Sequence, residues 1–274
     1  MGIFFSEVYW LIGDIHGMIR PLEALLAAID RRDPGAHRVF LGDYVNRGAD
    51  SRQVVDLMIA TPHATFLRGN HDDIFDLVLH GDCYVYNPTA PNRVAAFTWF
   101  FQYGLAETLM SYGVDWAELD SLSRKPGERA IVDCVRVVPE NHRNFIRSLQ
   151  PTFQSAQFFA AHGYWDPDDP DDSTGMQAQL EKDLKARCGL LWDRFTEEQV
   201  TRNKRWKRPG YFGHTPVYNY RQAGGEFAPI FGDKLVLLDT AVALSTAGFL
   251  SAVCAESGTV LQANRAGEII ESES

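Results

Sequence analysis

The chain has 274 residues, a formal net charge of −10, 45% hydrophobic residues and 23% charged ones. That balance describes a soluble globular protein with room for a full core, and it excludes a nucleic-acid binder that works by bulk electrostatics. No apolar stretch is long enough to span a bilayer, so no membrane partner is expected.

Cys83, Cys134, Cys188 and Cys254 are scattered and form no Cys-x-x-Cys pair. They read as free thiols in a reducing compartment, and a cytoplasmic location is expected. The opening Met1-Gly2-Ile3-Phe4-Phe5-Ser6 has no basic residue ahead of its apolar run, unlike a secretory signal. It matches the short myristoylation pattern, which is common by chance.

The first apolar run, Val8 to Ile12, stops at Gly13-Asp14-Ile15-His16-Gly17. In extended chain, residues two apart point the same way, so Asp14 and His16 can aim a carboxylate and an imidazole at one point. Alone, such a turn is weak evidence for a metal ion. A helix is predicted over 18–30, with Leu22, Leu25, Leu26 and Ile29 on one face. Val39-Phe40-Leu41 is a second strand, ending at Gly42-Asp43, and Ser51 is the expected N-cap of the next helix. Thr65 to Arg68 is a third, ending at Gly69-Asn70-His71-Asp72 before another helix. Three strands, each followed by a helix, indicate a parallel α/β layout with its polar clusters at the carboxyl ends of the strands.

Residues 81–157 are aromatic-rich and helical in pattern, with Pro139 at the first turn of one helix. No Gly/Ser/Pro linker flanks them, so they read as a helical insertion within a single domain, 1–274, and their aromatic stripe as helix packing. The strand-then-cluster pattern then resumes. Phe158 to Ala161 ends at His162-Gly163, Tyr211-Phe212 ends at Gly213-His214, and Leu235 to Leu238 ends at Asp239. Beyond these, turns at Gly224-Gly225, Gly232-Asp233 and Ser257-Gly258 predict antiparallel hairpins.

Six candidate ligands thus lie at five strand ends: Asp14, His16, Asp43, Asn70, His162 and His214. A single histidine at a strand end is usually structural, but five such ends beside glycine are hard to explain that way. The set contains no thiolate, which favours manganese, iron or zinc. Six donors, with carboxylates able to bridge, suit two divalent ions, which serve displacement at phosphorus when roughly 3.5–4 Å apart.

GDIHG (13–17), GDYVNRG (42–48), GNHD (69–72), AHG (161–163) and GHTP (213–216), in this order, resemble the metal-site signature of the phosphoprotein phosphatase family. That family is one branch of the calcineurin-like metallophosphoesterases. The resemblance runs from about residue 8 to 242 and implies an α/β fold, a β-sandwich flanked by helices. It also implies that Asp14, His16, Asp43 and His214 serve one ion, and that Asp43, Asn70 and His162 complete the second. A water shared by the ions would lose a proton and attack phosphorus in line. Arg47 and Arg194, the latter in LLWDR (190–194), would hold the phosphoryl group, and His71 would protonate the leaving oxygen. Asp239 would support the site from behind.

Three departures stand out. Asn46 replaces the carboxylate that keeps the acid histidine charged in protein phosphatases, Asp72 replaces a glutamate, and Ala241 replaces the glycine of an Asp-Thr-Gly segment. Asn46 and Asp72 resemble the symmetrical diadenosine tetraphosphate hydrolases. In contrast, Glu107 to Gly113, LLWDR and GHTP resemble bacterial serine/threonine phosphatases. The expected substrate is a phosphorylated protein or small phosphate ester. A dinucleotide polyphosphate is the alternative, and a silent phospho-partner binding module is a third reading. The acidic run Asp166 to Asp172 and the basic run Arg202 to Arg208 read first as solvated loops and secondly as charged rims of the entrance.

Overall fold

The computed structural model describes residues 8–165, 184–202 and 206–273. The acidic run and the N-terminal myristoylation pattern lie outside these residues, as does the middle of the basic run.

Eleven strands form two sheets among the described residues. The first contains β1 (Tyr9–Ile12), β2 (His37–Phe40), β3 (Ala64–Phe66), β9 (Leu250–Cys254), β10 (Thr259–Ala263) and β11 (Ile269–Glu273), ordered β11-β10-β9-β1-β2-β3. The second contains β4 (Thr152–Gln154), β5 (Phe159–Ala161), β6 (Gly210–Phe212), β7 (Ile230–Phe231) and β8 (Leu235–Leu237), ordered β4-β5-β6-β8-β7. Strands β1, β2 and β3 run parallel, as do β5, β6 and β8. Their carboxyl ends therefore carry the glycine-flanked clusters.

The two-residue period of a strand sorts side chains between layers. Leu11, Val39 and Leu41 face Phe158, Ala160, Tyr211, Val236 and Leu238 in the core between the sheets. Their neighbours Trp10, Ile12 and Phe40 pack with the helices outside the first sheet. Phe159, Ala161, Phe212, Leu235 and Leu237 fill the core outside the second. The result is a mixed α/β sandwich flanked by helices.

Helix α1 (Ile19–Arg32) buries Leu22, Leu25, Leu26 and Ile29, as its periodicity predicts. Helix α2 (Ser51–Ala60) corrects an expectation. Its N-cap is Asp50, and Ser51 instead turns its hydroxyl toward Thr108 Oγ1 at 3.1 Å. Helix α3 (Asn70–His80) begins at the third cluster, and its first turn is capped by the Asp72 carboxylate. Between β3 and β4 the chain is helical, with α4 (Arg93–Phe100), α5 (Leu105–Ser111), α6 (Trp116–Arg124), α7 (Glu128–Cys134) and α8 (Glu140–Ser148). The expected hairpins occur at Gly232-Asp233 and Ser257-Gly258. Gly224-Gly225 follows a 3-10 turn and joins no strand pair, because Gly224 simply closes that turn at φ +60°.

Candidate active site

Glycine at the strand ends lets backbone pass where a side chain could not. A β-carbon on Gly69 would lie 2.1 Å from Asp43 Oδ1, and one on Gly213 would lie 2.2 Å from Asp14 Oδ1. Non-glycine residues there are themselves bent into the left-handed region. His16, Asp43, Asn46, Arg47 and His214 have φ of +49°, +57°, +72°, +68° and +65°. Such strain persists only where surrounding bonds enforce it.

Those bonds are specific. The Asp72 carboxylate accepts from the backbone N–H of Asp43, Tyr44 and Gly69 at 2.7, 2.9 and 3.0 Å. Asp43 Oδ1 in turn accepts from His71 N–H at 2.9 Å. Asp14 accepts the His214 backbone N–H on both carboxylate oxygens, each at 3.1 Å. Asp72 is therefore committed to the turn that aims Asp43, and it does not serve His71.

The six predicted ligand residues converge, all buried. Asp43 lies 3.5 Å from His16 Nε2 and 3.4 Å from His162 Nε2. Asn70 Oδ1 lies 3.0 Å from both His162 Nε2 and His214 Nδ1. Three of the histidines share one arrangement. His16 Nδ1 faces the Val45 carbonyl, His162 Nδ1 the Leu41 carbonyl, and His214 Nε2 the Trp192 carbonyl, at 3.1, 2.8 and 3.1 Å. Each donates through that nitrogen and turns the other into the cluster, which is how proteins orient metal-binding imidazoles. Asp43 falls within 4.8 Å of potential ligand atoms in two groups, His16 with His71, and His162 with His214.

Charge in the cluster calls for a cation. Burial holds the His214 imidazole down at about 3 and His16 at about 4, so both rings are neutral. A neutral His214 already donating to Trp192 brings a lone pair against the Asn70 carbonyl oxygen, a contact that a shared cation satisfies. Burial, and then the neighbouring Asp239, push the Asp14 carboxyl up. Burial likewise raises Asp239 to about 6. For His162, burial is the largest influence and opposes the charge, but Asp43, Asp14 and the Leu41 carbonyl together raise the imidazole to about 9. A proton stands there in place of a metal charge. The donor set fits divalent metal ions.

His71 differs from the other three. Its Nδ1 faces Asn46 Nδ2 at 3.0 Å and its Nε2 faces Arg47 at 3.4 Å, with no carbonyl anchor. Its ring stands edge-on to Phe100, centroids 4.9 Å apart. Asn46 is fixed by Thr108, whose hydroxyl donates to Asn46 Oδ1 at 2.9 Å and accepts its backbone N–H at 2.8 Å. Thr108 comes from α5, 62 residues away, and no local pattern in the sequence announces it.

Arg47 and Arg194 line one cavity of about 560 Å³ together with His214. Among the described residues neither guanidinium pairs with a carboxylate, and the buried Arg47 Nε has no partner at all. In a chain of net charge −10, two guanidiniums without a carboxylate pair on one cavity are suited to an anion.

Residues 8–178 match the calcineurin-like phosphoesterase family. The chain belongs to this family. The family's divalent metals have a candidate site in the clusters around Asp43. A symmetrical bis(5'-nucleosyl)-tetraphosphatase of Pseudomonas putida (strain W619) is 38% identical over 65 residues, 23% of this chain and 22% of that relative. The chain thus spans less than a quarter of that curated relative. A cold-active protein-tyrosine phosphatase of a psychrophilic Shewanella shares the fold, with TM-score 0.51, 15% identity, and 97% and 80% of the two chains covered. A serine/threonine phosphatase of Saccharomyces cerevisiae gives TM-score 0.47 at 16% identity, with 98% and 80% covered. No described helix is long and apolar enough to cross a membrane.

Proposed function

We propose that this calcineurin-like phosphoesterase is a two-metal phosphomonoesterase with the chemistry of the serine/threonine phosphatases. The observation that carries it is the pair of unneutralised guanidiniums opening onto the same cavity as His214. Asp14, His16, Asp43, Asn70, His162 and His214 would hold the ions, with manganese the first choice and iron or zinc the others. When bound, the ions would neutralise phosphoryl charge and make water a nucleophile near neutral pH.

The chain's own residues do the rest. Arg47 and Arg194 bind the phosphoryl oxygens as forks and hold the ester in line. Arg47 also stands beside His71, so the bound phosphate and the proton donor are set by one side chain. Asp239, deeply buried behind Asp14, supports the site without touching substrate. His71 is placed to give a proton to the leaving oxygen.

The second reading is a dinucleotide polyphosphate hydrolase. It is favoured by one observation, the neutral Asn46 amide facing His71, since a phosphoanhydride leaving group needs less proton help than an alkoxide. The experiment is a substrate panel with metal analysis of the purified protein. Manganese-dependent release of phosphate from monoesters supports the first reading. Cleavage of diadenosine tetraphosphate alone replaces it with the second. Phospho-ligand binding without turnover of any substrate identifies a silent binding module.

A further inference from the structure

The cavity that Arg47 and Arg194 line is also lined by Glu197, Tyr218 and Leu244, the last two 43% and 39% exposed, with Asn219 between Tyr218 and the buried Tyr220 in the chain. The Tyr218 ring is steadied by an edge contact with Phe227, centroids 5.8 Å apart at 68°. Behind it, the Tyr220 hydroxyl donates to the Phe195 carbonyl at 3.0 Å and Arg221 N–H donates to Glu197 at 2.9 Å. These two bonds tie the segment after His214 to the segment after Arg194. The cavity is therefore shaped before anything enters it, which lowers the ordering cost of binding.

An alkyl phosphate such as phosphoserine needs the arginines but has nothing to lay against an exposed tyrosine and leucine. A flat ring does, and Tyr offers a rigid contact surface at low entropy cost.

We propose that the Tyr218–Leu244 end of the cavity is the leaving-group subsite, and that it takes an aromatic ring borne directly on the ester oxygen. The substrates are then aryl phosphomonoesters in preference to alkyl ones, which deepens the phosphomonoesterase reading and rests on it. Hydrolysis forms a bond from a water oxygen to phosphorus, breaks the phosphorus–aryl oxygen bond and returns one water proton to the phenolate. The products are inorganic phosphate and the phenol.

The test separates binding from turnover. Calorimetry on the manganese-loaded protein compares phenylphosphonate with methylphosphonate, neither of which can be hydrolysed. Phenylphosphonate is expected to bind about tenfold more tightly, the scale of a good aromatic contact. The ratio should fall to about one in Tyr218→Ala/Leu244→Ala and persist in Tyr218→Phe. Parallel assays with phenyl phosphate, phosphotyrosine, a phosphotyrosyl peptide and glycerol phosphate identify the source of the ring. Equal affinity of the wild type for both phosphonates, or a preference that survives the double variant, overturns the subsite. A preference that behaves as expected with no turnover of any ester overturns the phosphomonoesterase reading and leaves the subsite standing.

Discussion

Asn46 Nδ2 lies 3.0 Å from His71 Nδ1, and Thr108 holds the other end of the same amide. The amide orients the imidazole but adds no charge that would stabilise its protonated form. Replacing Asn46 with Asp supplies that charge. The expected outcome is a rise in kcat of about tenfold or more on phosphoserine, and a smaller rise on p-nitrophenyl phosphate. Equal effects on the two substrates would show that proton donation does not limit this site.

The shared carboxylate makes a second prediction. Asp43 touches both histidine pairs, and His214 meets Asn70 while anchored to Trp192. Asp43→Asn or His214→Ala should lower manganese-dependent hydrolysis of an aryl phosphate by more than about 100-fold. Bound metal, measured by elemental analysis, should fall with it. Normal turnover in either variant removes the metal assignment.

Metal binding should also depend on pH. In the metal-free chain His162 keeps a proton up to about 9, held there by Asp43, Asp14 and the Leu41 carbonyl against the cost of burial. A metal must displace it, so manganese affinity should rise about tenfold per pH unit from 6.5 toward 9 and then level off. Proton release measured in buffers of differing ionisation heat should approach one at pH 7, and release near zero would contradict it. The same shift has an opposite effect on the metal-free fold. Because the folded-state value is raised, its stabilisation is full below the ordinary histidine value and is lost as pH rises through about 9. Metal-free protein should melt lower at pH 9 than at pH 6.

Ala241 provides a prediction about stability. It sits at φ +64°, where an L-residue with a side chain is strained and glycine is not. Ala241→Gly should stabilise the protein by about 1 kcal/mol, read as a higher urea midpoint with an unchanged slope. No gain would mean that the bond from Ala241 N–H to Asp239 Oδ1, at 3.0 Å, already sets this turn for a side chain.

The parallel strands and the six candidate ligands at their ends were legible because each rests on a local pattern, whereas the sandwich came from the family resemblance. Strands announced themselves as short apolar runs, and glycine beside Asp, Asn or His marked where each run ended. Which core each β1 side chain joins, Trp10 and Ile12 outward and Leu11 inward, did not show in that continuous apolar run. What stayed hidden came from distant chain. Ser51 had the residue type of a helix cap, yet its hydroxyl goes to Thr108, 57 positions later. The anchor of His214 is a backbone carbonyl, which no residue type can signal. Asp72 follows His71 in the chain, yet three backbone donors from Asp43, Tyr44 and Gly69 claim its carboxylate.

The bond from His214 N–H to the Asp14 carboxylate joins residues 200 positions apart. A ribosome adding about 5–20 residues per second needs roughly 10–40 s to cover that interval. Throughout it the nascent chain carries the first ligands of the site without the last. A cation met during synthesis finds only a partial set of donors, and a chain cut short before His214 keeps three strand ends of the first sheet but never the closed cluster. Under the proposed ligand assignment, metal loading would wait until the segment carrying His214 has been made.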